Sequence, residues 1–384
     1  MTYDHRKIFV FVALGVAACS SSGSKGSGAA DAGGCTGTQC TASGGSTTVG
    51  SGGALSGSGG APATGGVAET GGESSSTGGQ SSGGCDVLSL TAGMTGPNGI
   101  LALHDPGGIF GDPYGNDIAV DGSFVYFTFN SEFTRVPIGG GAAQSIQPLK
   151  GLGLKFFVIG GDVVWIEQDQ TSLVSDILKV PVTASDSTTP TVVANMIDEP
   201  DVITSDATAI YFSNRDKKIV YRAPLDGSGV TQLATNAEPL GAVVANGTYY
   251  WIDFSDEIMS VATSGGTPNS LAAAMFGGPM AAEGSSLYWT DTSDETVDRF
   301  APGDKNPTVL ATFGALDGAG AISVENGDVY FTPQGFGCGG VQKIPKDGSA
   351  VSVVVNGLDS PSDVAVDGTN GYVVASNGVF QFPL

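Results

Sequence analysis

After Cys85 the chain alternates apolar and polar positions in short runs of Val, Ile, Tyr, Phe and Thr, broken by Gly, Asp, Asn and Pro. No window keeps a 3.6-residue apolar period for more than about two turns, so the pattern predicts strands and almost no helix. The stretches 117–129, 201–214, 241–253, 281–291, 321–332 and 363–374 share one design: an apolar strand, a tight polar turn, and a strand with an aromatic core position. A divergent copy runs from Leu154 to Glu167. Aligning the aromatics gives Tyr126, Trp165, Tyr211, Tyr250, Tyr288, Tyr330 and Tyr372, spaced 38 to 46 residues apart.

A third strand follows most copies and ends at a turn, as in Arg135-Val136-Pro137 and Arg222-Ala223-Pro224. A fourth follows, as in Thr231-Gln232-Leu233-Ala234. Four short strands per repeat of about 40 residues define a β-propeller blade. The last copy stops after three strands, and Ile100-Leu101-Ala102-Leu103 fits the missing fourth. An all-β propeller closed by this N-terminal strand follows, which removes the exposed sheet edge. Seven blades are expected, or six if the 152–196 region is an elaborated connection.

The chain before Cys85 differs. Arg6 and Lys7, the apolar run Ile8 to Val16 and then small residues read as an export signal over residues 1–19. The run is too short for a stable membrane span. Val16-Ala17-Ala18-Cys19 resembles the lipobox of bacterial lipoproteins, a resemblance that implies a lipid on Cys19 and a membrane contact through that anchor alone. The alternative is an ordinary cleaved signal. Gly, Ser, Thr and Ala make up most of the stretch from Ser20 to Gly84. So little apolar surface cannot offset the entropy of ordering, so 20–84 reads as a flexible tether with a span on the order of 45 Å. Residues 85–384 form the folded domain. Ser20 and Ser21 follow the cysteine without an acidic residue, which by the lipoprotein resemblance favours the outer membrane of the bacterial envelope. Four cysteines remain, and an even set in an exported chain suggests disulfides, Cys35 with Cys40 and Cys85 with Cys338, with free thiols as the alternative.

Fifteen Lys+Arg face 38 Asp+Glu, a net charge of −23. That deficit excludes a phosphate-contacting surface, so no nucleic-acid partner is expected. Beyond His5 in the leader there is one histidine, His104, read as a loop residue after the closing strand. Triads and multi-His zinc sites lose their support. The acidic runs Asp253-Phe254-Ser255-Asp256-Glu257 and Asp291-Thr292-Ser293-Asp294-Glu295 join second and third strands on one rim. Asp253, Asp256, Asp291 and Asp294 are the candidate metal ligands, and Ca²⁺ is the cation such oxygens suit. Asn214-Arg215-Asp216 holds the equivalent place one blade earlier. The glycine runs Gly107-Gly108 and Gly139-Gly140-Gly141 open no helix and read as turns. Asp86 to Leu90 is a candidate extra edge strand.

Tyr288-Trp289-Thr290-Asp291 resembles the signature of YWTD-type propellers, with looser versions at Tyr126-Phe127-Thr128, Tyr211-Phe212-Ser213-Asn214, Tyr250-Trp251-Ile252-Asp253 and Tyr330-Phe331-Thr332. The resemblance covers roughly residues 99–384 and implies that Asp253 and Asp291 cap turns or bridge blades. The leading functional reading is a lipid-anchored, monomeric, non-enzymatic module that binds protein or carbohydrate at the propeller rim. The competing reading is a metal-dependent hydrolase or lyase of the lactonase type, since carboxylate and amide ligands need no histidine.

Overall fold

The computed structural model describes residues 88–104, 117–129, 131–274, 277–291, 293–312, 318–334 and 338–384. The leader, the tether, Cys19, Cys35, Cys40, Cys85 and the Gly107-Gly108 turn lie outside these residues, and of Cys338 only the backbone is described.

Seven four-stranded antiparallel sheets form the blades of a β-propeller. Blade 1 runs from Ile118 to Pro148, blade 2 from Leu152 to Asp198, blade 3 from Ile203 to Thr235 and blade 4 from Pro239 to Ala273. Blade 5 runs from Gly277 to Thr312 and blade 6 from Gly318 to Asp359. Blade 7 takes its three inner strands from Asp363 to Pro383 and its outermost strand from Leu101–His104. The 152–196 region is therefore a full blade, and its greater length comes from strands of seven or eight residues together with a long connection, residues 182–190, before the outermost strand. Among the described residues the only helical element is a 3₁₀ turn at Pro97–Gly99, and no helix is long and apolar enough to cross a membrane.

Ring closure follows the expected route. Leu101 pairs with Gln381 and Ala102 with Phe380. His104 differs from its expected place in a loop: it is the last residue of the closing strand, opposite Val379, with its ring 5.2 Å from that of Phe127. Pairing extends through it because Leu103, just before it, is buried between blades 7 and 1. The proposed edge strand is also modified. Leu88 donates its amide to Gly357 O at 2.6 Å, and Leu88 and Leu90 pack against the core between blades 6 and 7, without a regular ladder.

Aromatic residues of the second and third strands fill the wedges between blades. Phe133 and Trp165 meet edge to face at 5.1 Å between blades 1 and 2, and Tyr211 lies 5.8 Å from Tyr249 between blades 3 and 4. Blade 4 departs from the expected alignment. Tyr250 keeps the register, opposite Val243 as Tyr211 is opposite Thr204, but the fully buried ring is its neighbour Tyr249.

A local device repeats in blades 1, 3 and 7. Asp121, Asp206 and Asp367 each turn the chain after the innermost strand, accepting backbone N–H groups two and three residues on. Each also accepts the hydroxyl of a tyrosine five residues on, Tyr126, Tyr211 or Tyr372, at 2.6 to 2.7 Å. This Asx turn competes with continued strand and makes the reversal tight. Burial pushes these carboxyls up, but the tyrosine and backbone donors outweigh it and hold all three below the usual carboxylate value. A folded-state pKa below the unfolded one stabilises above about pH 4 and is lost as pH falls through the folded value. Urea midpoints of the wild type should therefore fall below pH 4, and Asp367→Asn should flatten that decline. An unchanged acid limb in the variant would count against this assignment.

Candidate functional site

In a four-stranded antiparallel blade, the start of the innermost strand and the turn between second and third strands lie on the same face of the disc. Charged residues at the start of innermost strands thus lie at the mouth of the central channel on that face. Asp363 opens the innermost strand of blade 7, Asp117 directly precedes that of blade 1, and Lys155 lies in that of blade 2.

These three groups form one cluster. Lys155 Nζ donates to Asp117 Oδ1 at 2.7 Å and to Asp363 Oδ2 at 3.4 Å. Each carboxylate also reaches the next blade: Ile118 donates its backbone N–H to Asp363 Oδ2 at 3.2 Å, and Phe156 donates its own to Asp117 Oδ2 at 3.2 Å. Three consecutive inner strands, which share no ladder, are thereby stitched by side chains. Burial raises the Asp117 carboxyl above its ordinary value, and the neighbouring Asp363 charge adds to this; Lys155 opposes but does not cancel it. Burial disfavours the Lys155 ammonium, yet the two carboxylates outweigh it and hold this group more basic than an ordinary lysine.

The opposite side of the mouth is apolar. Val202, Leu240, Pro279, Met280 and Ile322 line it, and the whole cavity measures about 380 Å³. Pro279 has a further effect. In blades 3 and 6 an inner-strand amide donates to a second-strand hydroxyl, Val202 to Ser213 and Ala321 to Thr332. Pro279 holds the equivalent place in blade 5 and has no N–H, so the buried Thr290 hydroxyl is left without a hydrogen-bond partner.

The acidic runs lie on the same face, at the turns after the second strands. Asp253 accepts from Trp251 Nε1 at 2.9 Å, from the amides of Glu238 and Ser255 and from the Ser255 hydroxyl. Burial would raise its carboxyl, but these donors win and lower it. Asp291 accepts the amides of Ser293 and Asp294; burial dominates there and, with the charges of Asp294 and Asp256, raises it. Both residues thus cap turns, and Asp253 also ties the turn to the entry of its own blade. The equal spacing of the two runs does not give equal turns. Asp253 pairs directly with Glu257, whereas Asp291 pairs with Thr296, one residue further on. Consequently Asp256 adopts the left-handed conformation in one turn and Glu295 in the other. Among the described residues no group of three or more His, Cys, Asp or Glu is arranged to hold a metal ion. Asn214 caps its turn through Lys217 N–H and bonds Asp198 O, and Arg215 pairs with Asp201 at 2.8 Å.

Sequence reasoning did not single out the Asp117–Lys155–Asp363 cluster. Two signals pointed to it. Asp117-Ile118-Ala119-Val120-Asp121 and Asp363-Val364-Ala365-Val366-Asp367 are near copies, and Lys155 is a lone charge within an apolar strand.

No family model matches the chain, and no curated protein sequence is detectably similar to it. Solved structures do match. Virginiamycin B lyase from Staphylococcus aureus superposes with a TM-score of 0.59 at 12% identity, covering 74% of this chain and 98% of the lyase. The WD40 propeller domain of Doa1 gives 0.57 at 14% identity, covering 74% and 96%. The designed protein Ika8 gives 0.52 at 10% identity, covering 74% and 99%. At such identities the likeness is one of fold. The protein is a seven-bladed β-propeller.

Proposed function

We propose that this propeller is a non-enzymatic binding module, held to the bacterial cell envelope by a lipid on Cys19 and spaced from the membrane by the 20–84 tether. It engages a protein, or less favourably a carbohydrate, on the face that carries the channel mouth. The observation that supports this reading is the division of that mouth into a charged wall with one cation and two carboxylates and an apolar wall opposite. Such a site suits a ligand with a hydrogen-bonding, cationic end and an apolar body. The folded region carries 12 Lys+Arg against 34 Asp+Glu, a net −22, so partners with basic patches associate faster at low salt. Crosslinking of the anchored protein to its neighbours tests the reading. The wild type should yield a defined partner, and Met280→Glu at the apolar wall should abolish that product; a product insensitive to this change would overturn the assignment of the face.

The anchor and the disulfides belong to the same proposal. Leu88, three residues beyond Cys85, is fastened to Gly357, in the strand paired with Cys338–Ile344. This supports a Cys85–Cys338 bond within short reach of the chain. Intact-mass and non-reducing peptide mapping of the exported protein should find acylated Cys19 and the pairs Cys35–Cys40 and Cys85–Cys338; a free thiol at Cys338 would sink the staple.

The metal-dependent alternative rests on Asp253, Asp256, Asp291 and Asp294. After chelation, thermal melts titrated with Ca²⁺, Mg²⁺, Mn²⁺ and Zn²⁺ separate it from the binding module. A flat response is expected, because Asp253 and Asp291 are already engaged by local donors. A saturable rise at micromolar cation would mean preferential binding to the native state and would favour the enzyme reading.

A further inference from the structure

The outermost strands of blades 2 and 6 carry the same pattern, TVVANMID over 191–198 and SVVVNGLD over 352–359. Both contain an extra bulge. In blade 2 the register shifts between the pairs Ser175–Ile197 and Ile177–Ala194, and in blade 6 between Gly339–Leu358 and Gly340–Asn356. The extra residue is left-handed in each case, Met196 with φ 58° and Gly357 with φ 76°. Glycine adopts this conformation freely; methionine there is uncommon and marks a position worth explaining.

In blade 6 the bulge has an occupant. Gly357 O accepts the amide of Leu88 at 2.6 Å, and Asn377 Nδ2 of blade 7 donates to Leu88 O at 2.8 Å. Both backbone groups of Leu88 are thus paired, and Leu88 and Leu90 cover the apolar seam formed by Leu358, Val373 and Phe380. The equivalent seam between blades 2 and 3 consists of Ile197, Phe212 and Tyr221, since Phe212 pairs with Tyr221 as Val373 pairs with Phe380. Phe212 and Tyr221 are stacked, with centroids 5.3 Å apart and planes inclined by 20°. There the seam is open: a pocket of about 150 Å³ remains, rimmed by Met196 and Val230, which are 76% and 39% exposed. Lys217, paired with Asp198 at 2.6 Å, closes one end near the place that Asn377 holds in the covered seam.

We propose that the groove between blades 2 and 3 docks an extended peptide segment of a protein partner. An aliphatic side chain of that segment sits against the Phe212–Tyr221 stack, and the amide of the same residue bonds the carbonyl of Met196. The chain's own occupant of the equivalent groove sets this chemistry: a residue with both backbone N–H and C=O paired, and leucine side chains. The inference deepens the binding-module reading by giving the partner a chemical form. It concerns a groove on the outer side of blades 2 and 3 and is separable from the channel mouth.

The probe is a blocked pentapeptide with the sequence of residues 87–91, Val-Leu-Ser-Leu-Thr, titrated into the full chain. Saturable binding that crosslinks to Met196 or Tyr221 is expected. Replacing both leucines of the peptide by serine, or introducing Tyr221→Ala, should weaken it at least tenfold. Met196→Glu, on an exposed side chain, should weaken it equally and serves in place of Tyr221→Ala where that variant melts at a lower temperature. Met196→Gly keeps the bulge and should bind within about twofold of wild type. Lys155→Met should leave peptide affinity unchanged, so that failure here and failure of the channel reading are distinguishable. No saturation up to millimolar peptide would overturn the proposal. So would binding insensitive to Tyr221→Ala and Met196→Glu, burial of the groove in a dimer, or crosslinks from it to residues 1–87 of the same chain.

Discussion

Gly241→Ala should be the most damaging single substitution in the inner ring, lowering stability by about 3 kcal/mol, the upper end of what adding volume to a packed core usually costs. A Cβ at Gly241 would come within 2 Å of the backbone carbonyl oxygen of Gly278 in the next blade. A carbonyl held in an inner strand cannot swing aside as a long side chain can. Gly277 and Gly278 are themselves hemmed in by Ile252 and Thr290, so the clash has no cheap outlet. Gly284→Ala is the control. Its Cβ meets nothing within 4 Å, and only its φ of +59° opposes the change, a cost of about 1 kcal/mol. Urea unfolding of the two variants checks this directly. Equal losses would show that backbone conformation, and not the approach of blades 4 and 5, governs these glycines.

Lys155→Met should cost about 2 kcal/mol at neutral pH. Removing one member of a buried ion pair commonly costs about 3–5 kcal/mol, because a charge is left uncompensated. The side chains of Lys155, Asp117 and Asp363 are 35%, 22% and 16% exposed, so water in the channel screens part of this. The loss should depend on pH. The Lys155 contribution is present below the unfolded lysine value and persists beyond it, since the folded value is raised, so it is constant between pH 5 and 8. The variation comes from Asp117, whose carboxyl already sits high and rises further without the ammonium beside it. Protonation of Asp117 in the variant removes the repulsion with Asp363. The difference between variant and wild type should therefore shrink as pH falls from 7.5 to 5, and Lys155→Met with Asp117→Asn should recover most of the loss at pH 7.5. A difference independent of pH would mean that the three groups do not act as a unit.

Much of the architecture was legible because its causes are local. Asp121, Asp206 and Asp367 recur with a tyrosine five residues later, and a turn that satisfies both the backbone and the tyrosine hydroxyl forms from that spacing alone. The regular recurrence of the aromatic position and the spare strand at Leu101–His104 then define blades and closure. Trp165 shows the limit of counting by pattern. Blade 2 spans more residues than the other blades, and only its four-stranded sheet decides for seven blades over six.

The acidic turns show a second limit. Identical spacing in the runs beginning at Asp253 and Asp291 hides a one-residue difference in pairing, because register depends on the partner strand.

The strand pattern, the repeat, the ring and its closing strand are legible in the chain alone, as are its net charge and the Gly/Ser-rich composition before Cys85. All of these rest on neighbours along the chain or on composition. That Asp363, Asp117 and Lys155 share one channel wall is visible only in the folded ring, since Asp117 and Asp363 lie 246 positions apart in the chain. The same holds for the open seam at Met196 beside the covered one at Gly357. Closing the ring brings the first, second and last blades side by side, and no local spacing encodes which side chains then face one another across the channel.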